Sequence, residues 1–174
     1  MNLLLHTCCG PCFLGVWEDL GQKEIEVTNY FFNPNIYPEA EYKERLRSLK
    51  IAAKNRSAVI EGPYEPAKHD AAILGKESDF PGRCLGCYRL RMEETATYAR
   101  ENGYDAFSTT LLVSPYQQHD DLKKICEEVS NQTGITFYYS DWRPHFRTGQ
   151  NMARELDIYR QKYCGCKYSL AERT

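Results

Sequence analysis

Seven of the eight cysteines fall into three groups: Cys8, Cys9 and Cys12 in "HTCCGPC", Cys84 and Cys87 in "RCLGC", and Cys164 and Cys166 in "YCGC". A Cys-x-x-Cys pair at a helix start can be a redox dithiol, because the helix N-terminus favours the attacking thiolate. A third thiol directly before the pair has no role in simple dithiol exchange, so the pattern does not read as thioredoxin-type chemistry. A secreted disulfide framework spreads its cysteines along the scaffold, whereas these are clustered. A structural zinc ion takes four ligands and leaves three of the seven thiols without a purpose. An iron–sulfur cluster takes four thiolates converging from several loops, and the five thiols of the first two groups can supply them. One thiol then remains, with Cys164 and Cys166, for a second metal, a redox pair or a substrate contact. The spacing therefore points to a metal–thiolate site and leaves the metal open.

These groups need elements to carry them. Residues 2–7 read as a short buried strand running into the first group, with a helix from there to about Leu20, closed by Gly21. "EIEVTNYFF" (24–32) predicts a second strand, ended by the turn "NPN". Pro38 suits the first position of a helix whose Tyr42, Leu46, Leu49 and Ala53 share one face. Strands are expected at 57–64, 105–113 and 135–142, and helices from Cys87 to Asn102, over 120–132 and over about 150–162. The stretch 65–83 gives mixed signals. Cys126 falls on the inward stripe of the 120–132 helix and is expected in the core. Strands alternating with helices predict an α/β fold, Rossmann-like (of the HUP, PP-loop-like kind), with a largely parallel sheet flanked by helices. In such sheets ligands sit beyond the carboxyl ends of the strands, where Cys8, Cys9 and "SDWR" are expected.

A chain of 174 residues is most simply one domain, 1–174. Its net charge of −2 supplies no global field for nucleic acid, so any such contact must be a local patch. The early apolar run Leu3-Leu4-Leu5 is too short for a signal peptide or a membrane span. The expectation is a cytoplasmic protein without a membrane partner. Where a nucleotide-binding relative would have a glycine- and serine-rich phosphate loop, this chain has "TCCGPC", so ATP use is not expected.

"LLLHTCCGPC", "FFNPNIYPEAEYKERL", "RCLGCYRLRM", "STTLLVSPYQ" and "IYRQKYCGCKYSL", taken in order from Leu3 to Leu170, resemble the QueH family of epoxyqueuosine reductases. The resemblance implies the last step of queuosine synthesis in transfer RNA. There, epoxyqueuosine at the wobble position loses its epoxide oxygen without cobalamin. It also implies a four-iron, four-sulfur (4Fe-4S) cluster with one additional iron ion beside it, bound by cysteine and aspartate. An iron–sulfur transfer-RNA thiolase, and an iron–sulfur or zinc sensor that binds a partner, are the alternatives.

Carried onto this chain, the resemblance makes Cys9, Cys12, Cys84 and Cys87 the expected cluster ligands. Cys8, Cys164 and Cys166, with Asp141 as the carboxylate, are then expected at the second iron; Cys8 and Cys9 can exchange roles. Asp141 is chosen for its place after the last strand, against a solvated turn or capping role, with Asp79 a second candidate. His6 is a candidate proton donor, weighed against a satisfied core histidine, and Tyr163 and Tyr168 flank the last cysteines. For transfer RNA, Arg143, His145 and Arg147 in "WRPHFR" combine charge with aromatic surface. Lys43, Arg45, Arg47 and Lys50, interrupted by Glu44, are a second candidate for transfer RNA but better suit a solvated helix face. Ser108 to Thr110 can offer hydroxyls near the site. A reduced flavodoxin or ferredoxin is the expected electron donor.

Overall fold

In the computed structural model, which describes residues 1–173, five parallel strands form one sheet in the order β3-β2-β1-β4-β5. They are β1 (Asn2–His6), β2 (Glu26–Phe31), β3 (Ala58–Glu61), β4 (Ala106–Thr109) and β5 (Thr136–Phe137). The central strand is covered on both faces, so Leu3, Leu4 and Leu5 are all fully buried, and a continuous apolar run replaces alternation. His6, its last residue, is level with Tyr30 of β2 and Thr109 of β4. The chain runs outward from β1 to β3, then returns to lay β4 on the other side of β1. That reversal opens a crevice beyond the ends of β1 and β4.

Helices α1 (Gly10–Leu20), α2 (Glu39–Ala53), α3 (Pro66–Ala72), α4 (Gly82–Glu101), α5 (His119–Thr133), α6 (Phe146–Glu155) and α7 (Lys167–Ala171) complete the fold. α1 packs against α2 and α6, and α4 against α5. α6 approaches α1 so closely that a Cβ on Gly149 would lie 2.5 Å from the Pro11 carbonyl oxygen. The expected inward stripes hold: Tyr42, Leu46, Leu49 and Ala53 are buried on α2, and Leu122, Ile125, Cys126 and Val129 on α5. Among the described residues no helix is long and apolar enough to cross a membrane.

Four boundaries differ from expectation. The 105–113 strand stops at Thr109, whose hydroxyl accepts the Leu111 N–H at 3.1 Å and turns residues Thr110–Val113 into a 3₁₀ turn. α4 starts at Gly82, so Cys84 and Cys87 lie inside its first turns rather than ahead of it. The last strand ends at Phe137, and Trp142 then turns inward to donate its Nε1–H to Asp19 on α1 at 2.9 Å. The final helix ends at Glu155, followed by Asp157 at φ 51°, and residues 156–166 cross the protein without regular structure.

Candidate metal centre

The first thiol group is built where β1 hands over to α1. Cys9 is the N-cap of α1, its Sγ accepting the Cys12 N–H at 3.4 Å, and Pro11 takes an early helical position where its missing N–H costs nothing. The cap and first turn bring Cys8, Cys9 and Cys12 together, with all three Sγ atoms within 4.8 Å of one another and all three residues buried. Cys8 is held from the far side of the crevice by Thr110, whose Oγ1 accepts the Cys8 N–H at 3.3 Å. Hydrogen bonds from the Cys12 and Cys9 thiols hold Cys8 well below the ordinary thiol range, while burial raises Cys9.

The other four clustered thiols come in two pairs from two elements. Cys84 and Cys87, three apart on α4, share a helix face with Arg91 one turn further on. Arg91 is buried, and its Nε donates to the Cys87 carbonyl at 3.3 Å. Cys164 and Cys166 flank Gly165, and their Sγ atoms are 3.7 Å apart. Gly165 has φ +126°, where a side chain would be strained, and a Cβ there would sit 3.1 Å from Ile36 and 3.2 Å from Arg45. Arg45 pins this turn: its Nη1 and Nη2 donate to the carbonyls of Cys164 (3.0 Å) and Tyr163 (2.9 Å), and its Nε pairs with Glu41 at 2.8 Å. The hydrogen bond from Cys166 takes the Cys164 thiol down to about 5, whereas burial first, then Cys164, takes Cys84 up to about 11.

All three groups face one cavity of about 560 Å³, walled by Cys8, Cys12, Cys84, Cys87, Cys164 and Cys166. The seventh thiol, Cys9, is fully buried and tied to this wall by Gln161, whose Nε2 donates to Cys9 Sγ at 3.0 Å and reaches Cys12 Sγ at 3.7 Å. Buried Arg45, Arg83 and Arg91 also line the cavity, offsetting the charge that several thiolates would bring. His69 of α3 lines it as well, buried and taken down to about 4 by burial and then by Arg91, so its ring is neutral near pH 7.

Other expected residues lie elsewhere. His6 is fully buried with both ring nitrogens occupied, Nε2 at 3.0 Å from the Phe32 carbonyl and Nδ1 at 2.9 Å from Thr109 Oγ1. Burial, then Arg91, takes it down to about 3, so it is a neutral core histidine away from the cavity wall. Asp141 is also off that wall. It follows β5, which ends at Phe137, and Arg143 clamps its carboxylate at 2.8 and 2.6 Å and holds it down to about 2. Asp79 is exposed and off the wall too, although its neighbour Phe80 is on it. Arg143 and Arg147 are exposed and His145 half-buried, while between them Phe146 turns to the cavity. Tyr163 lines the cavity, and Tyr168 stacks on Arg83 instead. Of the hydroxyls at 108–110, Thr110 reaches Cys8 and Thr109 serves His6.

Arg45, expected on a solvated helix face or at transfer RNA, is instead buried on the cavity wall, and Arg83, Arg91, His69 and Gln161 there escaped the sequence reading. Two carried a signal. Arg45 stands within the apolar stripe of Tyr42 and Leu49, and Arg91 is four residues beyond Cys87 on the cysteine face.

A family model described as epoxyqueuosine reductase QueH matches residues 3–172. The chain is 37% identical to an epoxyqueuosine reductase QueH of Dehalococcoides mccartyi, over 99% of this chain and 94% of that protein. It is 34% identical to one of Thermotoga maritima, over 99% and 92%, and 31% identical to one of Streptococcus pyogenes, over 97% and 70%. With three cysteine groups on one crevice of a parallel sheet and a match along nearly its whole length, the chain belongs to the QueH family of epoxyqueuosine reductases, which are oxidoreductases.

Proposed function

We propose that the chain reduces epoxyqueuosine at the wobble position of transfer RNA to queuosine, the last step of queuosine biosynthesis. In this reading Cys84, Cys87, Cys164 and Cys166 hold a 4Fe-4S cluster, and Cys8, Cys9 and Cys12 hold one additional iron. One observation carries the reading: a close triad of Cys8, Cys9 and Cys12 stands at one cavity whose wall also carries Cys84, Cys87, Cys164 and Cys166. Four thiolates suit a cluster; three leave an ion with an open position. The division differs from the sequence expectation of Cys9, Cys12, Cys84 and Cys87 against Cys8, Cys164, Cys166 and Asp141. Splitting the triad between two metals would part Cys8 and Cys9, whose Sγ atoms are 3.7 Å apart. Asp141 is committed to Arg143.

When bound, these groups supply single electrons and a Lewis acid for the epoxide oxygen. The overall change takes two electrons and two protons, opens the epoxide to an alkene and releases water. Arg45 and Arg91 balance the thiolate charge, and Gln161 orients Cys9 and Cys12. His69, rather than His6, presents an imidazole to the cavity wall; neutral near pH 7, it serves as a hydrogen-bonding group and not as the proton donor first sought in His6. Leu111 and Phe146 add apolar wall that limits water. Free thiols throughout suit a reducing cytoplasm, where reduced flavodoxin or ferredoxin is the donor this reading assigns.

The test is iron and acid-labile sulfide per chain after anaerobic reconstitution, followed by turnover of RNA carrying epoxyqueuosine with a chemical reductant. About five irons and about four sulfides, with queuosine formed, are expected. Zinc without sulfide, or a loaded protein that leaves the epoxide intact, overturns the reading.

A further inference from the structure

The cavity mouth carries two large exposed aromatic side chains. Phe80, 66% exposed, stands in the loop before α4, and Tyr116, 83% exposed, in the loop before α5; both line the cavity. Neither is loose. The Arg83 guanidinium lies 5.6 Å from the Phe80 ring and 5.5 Å from the Tyr168 ring, and is itself held by Glu172 at 2.6 Å and the Glu77 carbonyl at 3.1 Å. Tyr116 meets the Phe146 ring edge-on at 5.8 Å, and its N–H donates to Ser114 Oγ at 3.2 Å. Each ring is braced along one side and open to solvent on the rest.

A cavity of about 560 Å³ is of single-ligand size, not the size of a folded RNA. A nucleoside that reaches the thiols must leave its stack, while its neighbours stay outside. Bases splayed from a loop lose their stacking partners and regain them on aromatic side chains. Exposed Lys162 adds a positive charge to the wall, where Glu172 is the one carboxylate among the described residues and is itself paired with Arg83.

We infer that Phe80 and Tyr116 are stacking platforms for the loop bases flanking the nucleoside that enters the cavity, so that the mouth recognises a single-stranded RNA loop. This rests on the function proposed above and adds the residues that hold the substrate. Stacking on an aromatic face is tolerant of base identity, so these residues set affinity for an opened loop rather than for a sequence.

The test is equilibrium binding of an anticodon stem–loop RNA to the metal-loaded protein, with an aminopurine reporter beside the wobble position. Phe80→Ala and Tyr116→Ala should each raise Kd about tenfold and weaken the reporter's fluorescence change. Tyr116→Trp should bind at least as well as wild type, and Tyr116→Leu, apolar without a π-face, should behave like Tyr116→Ala. If wild type binds and reduces the RNA while both alanine variants bind it equally well, the inference fails and the proposed function stands. If wild type neither binds nor reduces the RNA, the proposed function fails and this inference with it.

Discussion

The Gln161 side chain donates from Nε2 to Cys9 Sγ at 3.0 Å while its Oε1 is buried without a partner. One amide thus orders the thiol triad and leaves an acceptor beside it. Outer hydrogen bonds to ligating atoms commonly change metal affinity by about 10–100-fold. Gln161→Leu should therefore weaken iron binding at the triad by about tenfold or more and leave sulfide content unchanged. Iron titration of the metal-free chain reads the first quantity, and sulfide analysis after reconstitution the second. Equal affinity in the variant would make the contact incidental.

The division of the thiols is checked by what each substitution removes. Cys8→Ala and Cys12→Ala should cost about one iron per chain and no sulfide, with the cluster's visible absorption kept. Cys84→Ala and Cys166→Ala should lose sulfide and most of the iron. Sulfide lost from Cys12→Ala as well would restore a cluster shared between the two walls.

The grouping of the cysteines was legible because it is local: a cap at Cys9 and a turn at Gly165 are written in a few adjacent residues. The central strand was legible because a strand buried on both faces needs the unbroken run Leu3-Leu4-Leu5. The pairing of Asp141 with Arg143 was not legible, because the last strand stops at Phe137 and the chain beyond it packs against a segment distant in sequence. Trp142 turns in to meet Asp19, more than a hundred residues earlier. The buried role of Arg45, expected on a solvated face, and that of Gln161 were illegible because their partners, the Cys164 carbonyl and Cys9, lie in remote segments.

Arg45 should be the costliest single residue outside the thiols. It is buried against Glu41 and supports two carbonyls of the Cys164 turn. Arg45→Met leaves half-buried Glu41 with only the Tyr159 hydroxyl and leaves two carbonyls without their partner, a loss of about 2–3 kcal/mol. Denaturant midpoints of the metal-free chain should fall accordingly, and the reconstituted cluster should bleach faster in air. Arg45→Lys should recover only part, because an ammonium cannot reproduce the planar fork that meets both carbonyls.

Asp141 gives a contrasting expectation. Its carboxylate is spent on Arg143, and it is not on the cavity wall. Asp141→Asn should keep wild-type iron, sulfide and turnover, with at most a small change in stability, since exposed ion pairs contribute about 0–1 kcal/mol. Loss of one iron in this variant would return Asp141 to the metal.

His6 makes the fold sensitive to acid. Its folded pKa is down to about 3 against an ordinary 6.5, chiefly through burial, so between those values the unfolded chain binds a proton that the folded chain refuses. The contribution to stability is complete above the ordinary value and is lost as pH falls, at up to about 1.4 kcal/mol per pH unit, flattening near the folded pKa. His69, lowered to about 4, adds a slope of the same sign. His6→Gln isolates the first contribution, because a glutamine can donate to the Phe32 carbonyl and accept from Thr109 without titrating. Urea unfolding of the reduced, metal-free chain across this range should show a shallower acid slope in His6→Gln than in wild type. Parallel slopes would mean that the buried ring takes up its proton without leaving the core, and that the lowered value is wrong.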